Sequence, residues 1–224
     1  MRKGFKKRIA QIPWGTDIQL FKKRSVDSLK KALSLNGSFI IGFIGRLVEV
    51  KGVPVLLKAV SRLAGNYKLL IVGDGPLKDS IKKSAEELGI SHKLIWVASV
   101  SHNDISAYIN CMDLLVLPSI TTPVVQEQFG KVLIEAMSCE VPVVGSSSGS
   151  IPEVIGDAGL IFEENNDEEL REKIELLMNN HLLRKRLAQQ GRQQVLKNYS
   201  WEKVTERLVQ FYQRVVLDST ENFI

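Results

Sequence analysis

Phe39-Ile40-Ile41-Gly42-Phe43-Ile44 is a run without a polar residue, and Gly45-Arg46-Leu47-Val48-Glu49-Val50-Lys51-Gly52 follows it directly. Apolar residues that do not alternate with polar ones suit a strand covered on both faces, the usual condition of a parallel sheet. In open α/β sheets, ligands bind beyond the carboxyl ends of the strands, which is where Arg46 emerges. Arg presents a fixed fork to phosphate oxygens and Lys a mobile point charge, so Arg46 and Lys51 together suit a pyrophosphate. The plainer alternative is a solvated loop carrying two ordinary surface cations.

Working outward from this strand, further strand patterns fall near 67–73, 94–97, 114–117, 141–145 and 159–162, the first one occupying 38–45. Helical patterns near 52–63, 76–88, 102–110 and 130–138 lie between them. This alternation predicts an α/β fold, a Rossmann-like parallel sheet with helices on both faces. Ser101 and Asp104 have the spacing of a capping box for the third of these helices. From Asp167 the chain reads as helical, near 167–179, 181–198 and 201–216, with Ser200 as the cap before Trp201. Trp201, Phe211 and Tyr212 could form an aromatic binding strip, but at helical spacing they read as packing residues. Three regions follow: a basic entry segment at 1–37, a Rossmann-like domain at 38–166, and helices at 167–224 that pack on the same domain. Leu69-Leu70-Ile71-Val72-Gly73-Asp74-Gly75-Pro76 resembles the start of a dinucleotide fingerprint. Leu77 and Lys78 stand where a third glycine would be needed, which argues against a dehydrogenase.

The chemistry concentrates in Glu127-Gln128-Phe129-Gly130-Lys131-Val132-Leu133-Ile134-Glu135, which follows the strand Leu114-Leu115-Val116-Leu117-Pro118-Ser119. Gly130 stands where a helix should begin, and the first N–H groups of a helix lack internal partners and favour a phosphate. Glu135 lies about a turn and a half further on. An ionised carboxylate accepts from two hydroxyls, as a ribose diol would supply. Glu127, in the loop, can face whatever hangs from the far phosphate. Phosphate, ribose and a hydroxyl-rich group together describe a nucleotide-sugar. Taken alone, two carboxylates at this spacing are equally a loop Glu and a solvated helix Glu.

The Glu127/Glu135 pair resembles the Glu-x7-Glu signature of the retaining GT-B glycosyltransferases of the "glycosyl transferases group 1" family. The segment from Gly45 to Gly52, the turn from Gly73 to Pro76, and Pro13-Trp14-Gly15-Thr16-Asp17 with Phe21 match further family segments in order. Trp14 replaces the family's usual Asn. The resemblance implies a donor-binding half of a GT-B fold and a metal-independent reaction. It implies that Arg46 and Lys51 hold the donor diphosphate, Glu135 the ribose and Glu127 the sugar, with Glu127, Arg46 and Lys51 catalytic. Gly45, Val97, Ser119, Phe129, Gly130, Lys131 and Val132 complete the expected donor site, with the base read through backbone atoms of residues 96–100. Gly145-Ser146-Ser147-Ser148-Gly149-Ser150 resembles a family turn close to the sugar. By composition it is an anion cradle or a plain flexible turn. The family's acceptor-binding first domain, with its His near the transferred sugar, does not correspond to any part of this chain. The acceptor, a glycan or lipid, would then meet a separate N-terminal domain. Two other readings are a non-catalytic donor-binding subunit that needs a partner chain, and a nucleotide-sugar epimerase on the same scaffold.

Composition narrows the partners. The 224 residues carry a net charge of +5, but residues 1–31 alone carry +8, leaving −3 on the rest. A duplex-binding face needs a basic stripe on the folded body, so nucleic acid is not expected. The basic leader could touch anionic lipid headgroups, which predicts a cytoplasmic protein with peripheral contact at the inner membrane face. No apolar run approaches a membrane span, and no secretory signal is recognisable. Cys111 and Cys139 lie in apolar contexts and read as buried free thiols. His92, His102 and His181 are scattered, so no metal site is expected.

Overall fold

The computed structural model describes residues 9–221, with side chains in the last helix described through Leu217. Arg2, Lys3, Lys6, Lys7 and Arg8 of the basic leader lie outside the described residues. Six strands form one sheet: β1 (Phe39–Ile44), β2 (Tyr67–Val72), β3 (Leu94–Val97), β4 (Leu114–Leu117), β5 (Val143–Ser146) and β6 (Leu160–Phe162). Every pairing is parallel, and the spatial order is β3-β2-β1-β4-β5-β6. The helices are α1 (Asp27–Ala32), α2 (Val53–Ser61), α3 (Lys78–Glu87), α4 (His102–Asn110), α5 (Lys131–Ser138), α6 (Ile151–Ile155), α7 (Asp167–Asn179), α8 (His181–Asn198) and α9 (Trp201–Glu221).

Alternate strand residues enter two separate cores. Ile40, Ile44, Leu70, Val72, Leu115 and Leu117 join side chains of α4, α5, α6 and α8. Ile41, Phe43, Leu69, Ile71, Leu114 and Val116 join α2, α3 and α7 on the other face. This two-sided burial explains why the strands lack polar alternation: each face of the sheet is covered. The strand order reverses between β1 and β4, and the crevice beyond their carboxyl ends is the ligand position of such sheets.

Several local expectations change. The strand read at 141–145 is Val143–Ser146, because Val141 N donates to Ala136 O and so completes the turn after α5. Ser101 and Asp104 do not form a capping box: the Ser101 hydroxyl donates to Asp104 Oδ2 at 2.7 Å and makes no side-chain cap. Ser200 does cap α9, with Oγ accepting from Lys203 N at 3.3 Å. Of the α9 aromatics, Trp201 is 46% and Tyr212 59% exposed and neither belongs to the core, although the Trp201 ring lies against Gly15. Helical spacing identifies residues that share a face but not whether a neighbour covers them. The entry segment contains α1 and anchors to the body through Phe21, which is fully buried. Thr16 N also donates to Tyr199 O at 2.8 Å.

Candidate functional site

Beyond the carboxyl ends of β1 and β4, the loops of both strands bring Lys51 and Glu127 together. Lys51 Nζ lies 2.6 Å from Glu127 Oε2, and the Ser119 hydroxyl donates to the same oxygen at 2.9 Å. Burial works to raise the Glu127 carboxyl. The Lys51 ammonium, the Ser119 hydroxyl and the Gly130 N–H outweigh it, and Glu127 is held below the ordinary carboxylate range. Ser119 is fully buried with its proton committed to Glu127, so it positions that carboxylate rather than opening onto a donor.

The loop that carries Glu127 is braced from below. Gly149 has a left-handed φ of 55°, and a Cβ there would overlap the Glu127 carbonyl oxygen. Ser150 N donates to that same oxygen at 3.1 Å. Ser146 donates to Ser119 O, and Thr121 Oγ1 meets Ser148 Oγ at 3.1 Å and donates to Glu164 Oε2 at 2.8 Å. Ser147 Oγ accepts from Glu164 N at 3.1 Å. The serine-rich turn therefore uses these hydroxyls within the protein, bracing the loop. Thr121 and Glu164, which carried no signal in the sequence, belong to this brace.

Gly130 opens α5 in the left-handed region at φ 75°, where L side chains are strained. Lys131 follows on the surface, and Val132 is half-buried against the core. One turn further, Glu135 is only 4% exposed, and its Oε1 has no hydrogen-bond partner. Lys131 Nζ lies 3.4 Å from that oxygen as an ion-pair neighbour, and His102 Nε2 lies 3.9 Å away. Burial dominates, and despite Lys131 the Glu135 carboxyl is pushed up to about 7. His102, its ring tilted against Phe21 with centroids 5.3 Å apart, is itself lowered, first by burial and then by Lys131. His102 thus meets Glu135 across the α4–α5 packing, which its position in the sequence did not indicate.

Arg46 is exposed at the end of β1, with no ion pair or hydrogen bond to another described residue. With Gly45 it forms one wall of a cavity of roughly 150 Å3, whose other walls include Val72, Asp74, Ser99, Val100 and Ile105. The corner after β2 closes onto this loop, with Leu47 N donating to Asp74 O at 2.9 Å. Val97 packs toward the α4–α5 side of the sheet. The Trp96 ring instead faces the opposite core, beneath Lys78 and Lys82, and does not reach the cavity. Phe129 turns away from Glu127 to meet Tyr199 edge-on, with ring centroids 5.8 Å apart. The structure therefore brings Lys51, Ser119, Glu127 and Gly130 into one cluster and Lys131, Glu135 and His102 into a second. Gly45 and Arg46 line the adjoining cavity.

A cleft at the strand-order reversal of a Rossmann-like sheet is where such folds take their ligands. Residues 25–194 match the model of the family described as Glycosyl transferases group 1, and the chain belongs to that family. It is 33% identical over 189 residues to an uncharacterized glycosyltransferase of Methanocaldococcus jannaschii, covering 83% of this chain and 51% of the relative. It is 32% identical over 190 residues to the capsular polysaccharide biosynthesis glycosyltransferase CapM of Staphylococcus aureus, covering 83% and 48%. The fold is that of the GT-B enzymes. The Anabaena protein HepE, solved in complex with UDP, superposes with a TM-score of 0.82 at 21% identity, covering 89% of this chain and 56% of that one. The chain spans about half the length of the curated relatives it matches. Among the described residues, no helix is long and apolar enough to cross a membrane.

Proposed function

We propose that this chain is the nucleotide-sugar donor-binding domain of a retaining glycosyltransferase that moves a hexose from a nucleoside-diphosphate sugar to an acceptor. The observation that carries this reading is Glu135, buried with Oε1 unpartnered, on the helix whose opening N–H at Gly130 reaches Glu127 of the Lys51–Glu127 pair. A buried polar atom without a partner is costly unless a ligand completes it. A ribose diol would give Glu135 Oε1 the hydrogen bond it lacks. The exposed Arg46 fork would take the diphosphate. Lys51 has three donors, so it can keep Glu127 and still turn two toward phosphate oxygens. As the bond from the anomeric carbon to the diphosphate breaks, the electron pair leaves with the phosphate. Arg46, Lys51 and the opening of α5 are fixed positive groups aimed at that charge.

Glu127 would accept from the sugar hydroxyls, with Ser119 and the serine-rich turn holding it in place. The base would enter the cavity lined by Ser99 and Val100. The Anabaena neighbour was solved in complex with UDP, which supports a nucleoside diphosphate as the ligand class. We assign acceptor binding to a domain outside this chain, and the chemistry to protein groups without a metal ion. Titration calorimetry with UDP and GDP tests the reading. Binding of either one tighter than about 1 mM is expected, and weaker binding of every nucleoside diphosphate overturns it.

A further inference from the structure

A second concave site lies at the opposite end of the sheet. Asp113 immediately precedes β4 and Pro142 immediately precedes β5, and both line a cavity of roughly 520 Å3. That size falls in the range of small-molecule sites. Its charge is one-sided. The entry segment contributes Lys23, Arg24 and Lys30, and α8 contributes Arg184 and Lys185, against the carboxylates of Asp113 and Glu140.

Five cations face two carboxylates, which leaves a surplus of three positive charges. Asp113 Oδ2 accepts from Ile40 N at 2.8 Å, and Glu140 pairs at 3.3 Å with Lys23. Arg24, Lys30 and Lys185 have no carboxylate within ion-pair distance among the described residues. Arg184 is fixed without losing its charge, donating to the Leu177 and Met178 carbonyls beneath the Phe39 ring. The entry segment is fastened as well, with Asn110 Nδ2 donating to Lys22 O at 3.0 Å and Arg24 N donating to Asn110 Oδ1 at 2.9 Å.

Cations held around one hollow repel each other, and a multivalent anion relieves that repulsion. We propose that this cavity binds a phosphorylated small molecule with at least two negative charges, at a site separate from the sugar-donor cleft. The hollow is concave, which favours a soluble phosphate over the flat surface of a bilayer. Arg24 and Arg184 would supply forked contacts, and Lys30 and Lys185 point charges.

The test is a titration of the 224-residue chain with inorganic pyrophosphate, with UDP saturating the donor cleft, followed by amide NMR. Saturable shifts at the Asn110 side-chain amide and at Lys185 and Gln189, tighter than about 1 mM, are expected. They should weaken as salt rises. The double variant Lys30→Ala/Lys185→Ala should lose at least tenfold in pyrophosphate affinity while its melting temperature and UDP affinity stay unchanged. Shifts confined to residues around Arg46, or equal affinity in the double variant, would overturn the proposal. So would sedimentation with phosphatidylserine vesicles that depends on Lys30 and Lys185 when pyrophosphate does not bind.

Discussion

Replacing Glu135 by Gln separates the cost of this buried carboxylate from its use. In the folded chain its carboxyl is raised from 4.5 to about 7 by burial, only partly relieved by Lys131. Between those values the unfolded chain has released the proton and the folded chain has not. Stability therefore falls as pH rises through this window and levels off above about 7. The difference corresponds to about 3 kcal/mol at pH 8 and close to none at pH 4. Glu135→Gln keeps the shape and removes the ionisation, so it should stabilise the unliganded protein at pH 8 and leave it nearly unchanged at pH 4. For a chain of this length the gain corresponds to a rise in Tm on the order of 6–12 °C. Differential scanning calorimetry at both pH values measures it. The same variant should bind UDP or GDP about 10- to 100-fold more weakly, the loss of a charge-assisted hydrogen bond. A Tm gain equal at pH 4 and pH 8, or none at pH 8, would refute the claim that desolvated charge is what Glu135 costs.

Three further outcomes follow from the site. Glu135→Ala should weaken a free nucleoside diphosphate and the complete nucleotide-sugar alike, by roughly 1.5–3 kcal/mol, whereas Glu127→Ala should weaken mainly the sugar-bearing donor. Calorimetry with both ligands checks the split, and equal losses in both variants would show that the two carboxylates are misassigned. Gly149→Ala forces a Cβ onto the Glu127 carbonyl in a left-handed conformation, so it should destabilise the chain by about 1–3 kcal/mol and weaken the sugar-bearing donor; denaturant unfolding and calorimetry read the two effects. Donor binding should be unchanged by EDTA, and a calorimetric affinity that falls on chelation and returns with a divalent cation would contradict metal independence.

Some elements were legible because few alternatives compete with them. Leu94–Val97 and Leu114–Leu117 are short apolar runs bounded by polar turns, and the structure places strands where the pattern does. α7 and α8 read equally plainly from their helical patterns, and in the structure Asn166 and Asn180 cap them through side-chain oxygens. The helix Ile151–Ile155 is too short to display a period, and it passed as loop. At the candidate site, spacing placed Glu127 in a loop and Glu135 on a helix. It carried no sign that Lys51 would pair with Glu127, because that contact depends on β1 lying beside β4. Nor did it show Glu135 as buried. A helix Glu beside Lys131 reads as solvated, and only the packing of α4 against α5 covers it with His102.

The β1/β4 seam also bears on how the molecule assembles. β1 pairs with β2 along its whole length, but it meets β4 at only two register pairs, Ile41 with Leu114 and Gly42 with Leu115. Those partners lie more than seventy residues apart in the chain. Contacts between distant segments form late, because loop closure opposes them until other structure is in place. The β1–β3 half can zip together as it is synthesised, while the seam waits for β4 and its neighbours. Lys51 and Glu127 come from opposite sides of that seam, so the candidate donor cleft is completed only when the two halves close. A nucleotide gripping both banks would act as the clasp of that seam.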